Sequence, residues 1–260
     1  MPNRVRFCAL FLVALAGACS SGPHPAPLNL PPPAPPLSNA TPSLRVADTA
    51  LQNGAPLLAL QIADQKLAAN ANDREALLRK AEALYALKRN EEAEAVFTQV
   101  LVLDPGNVPA LIGVGRIRLA RDPGSAADAF MKALARDPRN VAALNDLGIA
   151  RDLLGEHGEA QEAYRKVLAL APGDLGARVN LGLSLALSGH AREAIDTLRP
   201  IASLPDLTPR MREDLAAGLA LAGEDEAARS MMAQDLDPER VAEAMSGLMQ
   251  LRSYTPPAAP

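Results

Sequence analysis

The stretch VAALNDLGIARDLLGEHGEAQEAYRKVLALAPGD, residues 141–174, decides the fold. Leu144, Leu147, Gly148, Ala160, Tyr164 and Val167 fall at helical spacing on two segments divided by Gly155, and Pro172 closes the second segment. The closing proline recurs as Pro105 in LVLDPGN, Pro138 in LARDPRN and Pro172 in LALAPGD, at intervals of 33 and 34 residues. A constant interval in the thirties marks stacked helix pairs, each burying its apolar face only against the next pair. The chain therefore reads as an all-α solenoid and not as a globular enzyme core.

The same marks extend in both directions. Residues 74–107 carry Leu77, Ala81, Ala93, Phe97 and Pro105; residues 108–140 carry Leu111, Gly115, Ala126, Phe130 and Pro138, one residue short in the Asp122-Pro-Gly turn. From Leu175 come Leu181, Gly182, Gly189, Ala194 and Leu198, but Pro200 is expected to interrupt the second helix, so that the array bends or loosens there. Pro209 opens a unit with Leu215, Ala216, Gly223, Ala228 and Met232, and Val46, Ala47, Gly54, Ala59 and Ala63 mark a degenerate first unit ending near Asn70. Six helix pairs over residues 43–253, with a last helix over about residues 238–252, are expected.

These spacings resemble the tetratricopeptide repeat, in which small residues such as Gly148 and Ala160 let two antiparallel helices approach and a proline ends the second. The resemblance implies a right-handed superhelix whose first helices line a concave groove. By register that groove would hold Arg79, Glu82, Tyr85, Arg116, Leu119, Asn145, Ile149, Asp152, Asn180 and Leu183. Asn145 and Asn180 are candidates to hydrogen-bond an extended peptide; the alternative is that Asn is simply common at such positions. A clamp for a peptide carboxylate is disfavoured, because Glu82 and Asp152 oppose Arg79 and Arg116.

Composition agrees with helices: 48% of residues are hydrophobic, only 3% aromatic, and Trp is absent. A formal charge of −4, with signs mixed along the chain, argues against a nucleic-acid surface.

The first 18 residues read as a bacterial secretory signal: Arg4 and Arg6, then an uncharged apolar run from Phe7 to Ala16. That run is about half the ~20 residues of a spanning helix. Ala16-Gly17-Ala18-Cys19 resembles a lipoprotein processing site, with Ala16 where Leu is usual; Ala16-x-Ala18 also suits ordinary signal peptidase. Lipid on Cys19 is the expectation, since an unmodified Cys19 would be an unpaired thiol at the mature N-terminus. The mature chain then has no thiol for a disulfide, metal site or nucleophile. Its charge of −6 (24 basic and 30 acidic side chains) would not hold it on an anionic bilayer, so attachment would rest on acyl chains. Ser20 and Ser21 follow the cysteine with no aspartate, which by the lipoprotein sorting rule implies the outer membrane, periplasmic face. Residues 19–42 hold nine prolines and read as a disordered polyproline spacer, and residues 254–260 as a frayed tail.

No catalytic set is expected. His24 lies in the spacer, and His157 and His190 occupy equivalent turns without further metal ligands. Gly113-Val-Gly115 follows no strand and reads as a close helix contact, not a phosphate loop. Glu91-Glu92 and Glu224-Asp225-Glu226 open second helices and suit the positive end of a helix dipole. Neither metal nor cofactor is expected beyond a lipid on Cys19.

The segments AIDTLRPIA (194–202), TPRMR (208–212), DLAAGLALAG (214–223) and AQDL (233–236) resemble the C-terminal half of the TadD family, tetratricopeptide lipoproteins of tight-adherence (Flp, type IVb) pilus assembly. Glu213-Asp214 stand where that family usually has Gln-Asn, and its Asn-aromatic stretch appears here as Ala244-Met-Ser-Gly-Leu248. The resemblance implies a non-enzymatic scaffold that binds protein partners, the pilus secretin or its neighbours. The alternative is an envelope scaffold for peptidoglycan enzymes or outer-membrane protein assembly.

Overall fold

The computed structural model describes residues 43–254. Cys19, the signal, the proline-rich spacer and the tail from residue 255 lie outside the described residues. Within them are thirteen α-helices and no strand. They are α1 (Leu44–Gln52), α2 (Pro56–Ala69), α3 (Arg74–Ala86), α4 (Asn90–Leu103), α5 (Val108–Arg118), α6 (Pro123–Arg136), α7 (Val141–Leu153), α8 (His157–Leu170), α9 (Leu175–Leu187), α10 (Ala191–Ala202), α11 (Pro209–Ala222), α12 (Asp225–Met232) and α13 (Pro238–Tyr254). They fall into two compact units whose described parts are residues 43–118 and 119–254. The boundary lies at the turn from Leu119 to Asp122 between α5 and α6; that turn is not the short element expected, since the helix α5 itself is short, with 11 residues where α3, α7 and α9 have 13.

Helix starts follow from capping. Asp73, Asn107, Asn140, Asp174 and Thr208 precede the first helix of five successive pairs, and each side chain accepts from the backbone N–H three residues on, at 2.8–3.3 Å. In LDPGN and RDPRN the aspartate completes the turn: Asp104 and Asp137 accept from the amides of Gly106 and Arg139 and from the side chains of Asn107 and Asn140. The proline stops one helix while the asparagine starts the next.

The turns inside the fourth and fifth pairs use left-handed backbone, which Gly155 (φ 78°) and Gly189 (φ 83°) supply without a Cβ penalty. Lys88 takes the same place in the second pair with φ 62°. A lysine there is strained, so Lys88→Gly is expected to stabilise residues 43–118 by about 0.5–1 kcal/mol. Thermal unfolding should show a higher midpoint; an unchanged or lower one contradicts the assignment of strain.

In the first unit Leu77, Leu84, Phe97, Val100 and Val114 form the main cluster, with the Phe97 ring against the backbone of Gly113, where an added Cβ would lie 2.4 Å from the ring. Gly113 is thus the close helix contact expected. In the second unit Tyr164 occupies the corresponding place against Gly148, and Leu198 reaches both Gly182 and Gly218. The last helix closes this unit by burying Val241, Met245 and Leu248 and by sending Arg252 to the Ala220 carbonyl and, in two bonds, to Asp225. Such a closing helix is what a repeat array requires at its end.

The expected break at Pro200 does not occur. α10 continues through it to Ala202, with Leu198 and Ile201 both fully buried. Pro200 lies in the last turn on an exposed face, and so does Asp196, whose carbonyl loses its partner and can turn to water. Burial of the two apolar neighbours outweighs the loss of one bond. The irregularity falls instead in residues 203–208, where Asp206 has φ 60°.

Candidate protein-binding face

The ten register positions divide between the units. In the first, Arg79 of α3 is flanked by carboxylates: its Nε donates to Asp48 of α1 and its Nη1 to Glu82 at 3.2 Å. Burial raises the Glu82 carboxyl despite the arginine beside it. Tyr85 is half-buried against the core of its unit, and Arg116 is exposed. Arg79 therefore ties α1 to α3. Reversing its charge would place three carboxylates together, so that substitution reports on this tie as much as on partner capture.

In the second unit Leu119 is half-buried beyond the end of α5, and Ile149 and Leu183 pack against the core. Asn180 Nδ2 donates to Asn145 Oδ1 at 2.9 Å, so these two amides of α9 and α7 are partners of each other.

Asp152 corrects the register. It is 7% exposed and does not line a groove. Its carboxylate accepts from the hydroxyls of Tyr164 (2.9 Å) and Ser184 (2.6 Å) and lies 2.8 Å from Nδ1 of His157. One buried carboxylate thus joins α7, α8 and α9. Burial, then the charge of Asp152, holds the Tyr164 phenol well above its usual range, which keeps it a donor. The tyrosine itself was the sequence signal: a phenol at an interhelical position needs a polar partner for its O–H. His157 serves this network, while His190 Nδ1 lies 2.9 Å from Ser188 Oγ, which accepts from Gln161 at 2.9 Å. No group of three or more metal-ligating side chains occurs among the described residues.

The register named Asn180 but missed Asp214 beside it. Asp146, Asn180 and Asp214 recur every 34 residues on α7, α9 and α11. Asp214 lines a recess between α9 and α11 with Asn180, and burial pushes its carboxyl up to about 6, outweighing the lowering by Arg210; Glu213 adds a smaller rise. A carboxyl raised in the folded state is stabilising when protonated. Stability from this group is full below about pH 4 and is lost as pH rises through about 6. Asp214→Asn should accordingly match the native thermal midpoint near pH 4 and exceed it at neutral pH. Equal midpoints at both would contradict the assigned burial cost.

A family model for the tetratricopeptide repeat matches residues 44–108 and 120–175. Those two stretches carry tetratricopeptide repeats. Solved structures agree on the fold. A tetratricopeptide repeat protein from Parabacteroides merdae aligns over 79% of this chain and 82% of its own, with 17% identity and a TM-score of 0.60. MamA aligns over 60% and 86%, with 26% identity and a TM-score of 0.52. YrrB, a tetratricopeptide protein with an unusual peptide-binding site, aligns over 71% and 97%, with 21% identity and a TM-score of 0.55. No curated protein matches the chain significantly. Tetratricopeptide repeats are in general protein-interaction modules and not catalysts. Among the described residues no helix is long and apolar enough to cross a membrane.

Proposed function

We propose that this chain is a non-enzymatic periplasmic adaptor, held at the outer membrane by lipid on Cys19, whose tetratricopeptide repeats dock the secretin or another component of a tight-adherence pilus. The observation that carries the reading is the segment from Leu198 to Leu236, whose sequence resembles the TadD family. Contacts within this segment fix its shape. Leu198 and Ile201 enter the core, and Arg212 on α11 grips Asp235 through two bonds of 2.5 and 2.6 Å, holding the turn before α13. A preformed helical surface suits such work, because binding to it costs little ordering of the receptor. That YrrB has a peptide-binding site supports a peptide-like ligand.

The test is Cys19→Ser in cells that make the pilus. The variant should lose acyl labelling, move to the soluble periplasm and fail to support surface pili. Retention at the membrane, or full piliation by the soluble form, would contradict the reading.

A further inference from the structure

The recess between α9 and α11 has a volume of about 200 Å³ and is lined by Gly176, Val179, Asn180, Thr208, Arg210, Met211 and Asp214. Pockets that enclose whole small molecules run to ~300–1,000 Å³. This one has room for a single side chain. Its lining sorts into two kinds of surface. Val179 and Met211 are apolar walls. The Thr208 hydroxyl already caps α11, accepting from the Met211 amide at 3.3 Å, and Asn180 spends an amide N–H on Asn145, which leaves its carbonyl oxygen as an acceptor.

Asp214 decides the ligand. Its side chain is 29% exposed, and no N–H or O–H of the described residues donates to its carboxylate. The cation beside it, Arg210, approaches only to 3.9 Å through Nε and is itself 53% exposed. Glu213 adds a second negative charge next in sequence. A partly desolvated carboxylate whose nearest cation stands 3.9 Å away weakens the fold, and a cationic ligand with N–H donors relieves that cost.

We infer that this recess receives one Lys or Arg side chain from an extended segment of a protein partner. The aliphatic stem lies against Val179 and Met211, and the cationic head is held by Asp214 and the Asn180 carbonyl. The inference rests on the scaffold reading above and names the chemistry of the partner.

The test is selection of random peptides from a display library against the full chain and against Asp214→Asn, with circular dichroism to show that the variant keeps its helices. Peptides enriched on the native chain should share Lys or Arg at one position, and that preference should vanish with Asp214→Asn. Acetylating that lysine in a synthetic peptide should weaken binding by about tenfold, the worth of one charge-assisted hydrogen bond. Enrichment without a constant basic position, a shared acidic residue that points to Arg210, or an unchanged preference in the variant would each overturn the inference while leaving the scaffold reading in place. No enrichment on either chain would overturn both.

Discussion

Replacing Asp152 with alanine is expected to cost residues 119–254 about 3 kcal/mol, among the largest effects of any polar substitution in the chain. Three donors from two neighbouring helices converge on this carboxylate, and two of them, the hydroxyls of Tyr164 and Ser184, are almost wholly buried. Truncation leaves the Tyr164 hydroxyl without an acceptor in a place that water does not reach, and leaves Ser184 only the His157 carbonyl at 3.4 Å. Urea titration followed by helical circular dichroism measures the loss, and a change under about 1 kcal/mol would show that the network can rearrange. Coupling separates this account from simple loss of packing. Tyr164→Phe should be destabilising in the native background and nearly neutral once Asp152 is gone, because the orphaned hydroxyl is then removed.

Leu198→Ala should cost about 4 kcal/mol, toward the upper end of leucine truncations in cores. Leu198 is fully buried and lies between two helix backbones, so close that a Cβ on Gly182 would stand 2.4 Å from its side chain and one on Gly218 2.6 Å. Glycines offer no side chains to collapse into the space it vacates. The cavity should therefore persist, and that is what makes a truncation expensive. A compensating change follows from the same geometry. Gly182→Ala alone clashes with Leu198, yet combined with Leu198→Ala it refills part of the cavity and should recover a measurable part of the loss. Additive destabilisation by the two changes would contradict this packing.

These two residues show what could be read in advance. Leu198 was legible, since it occupies the apolar position that Tyr164 holds one pair earlier and Gly182 stands where Gly148 does. Asp152 was misplaced because a linear register assigns every unspent first-helix position to the groove. At the last turn of α7 the side chain instead meets the hydroxyls arriving from α8 and α9, and no periodicity within one repeat encodes that meeting. The caps at Asp73, Asn107, Asn140 and Asp174 recur at the interval of the prolines and are as readable as they are. Pro200 shows the reverse failure: proline predicts a lost hydrogen bond but not which face of the helix bears the loss. The tie from Arg79 to Asp48 and the recess at Asp214 both join different repeats, so the position of either residue within its own repeat reveals neither.

Contacts of both kinds, within repeats and between them, build the core of each unit, and the proposed work of the protein lies in what the same repeats offer a partner. Crosslinking in intact cells followed by mass spectrometry tests that directly. The proposed adaptor should be joined to the pilus secretin or another pilus-export component through residues of its tetratricopeptide region. Crosslinks confined to cell-wall enzymes or outer-membrane assembly proteins, with no pilus component among them, would contradict it.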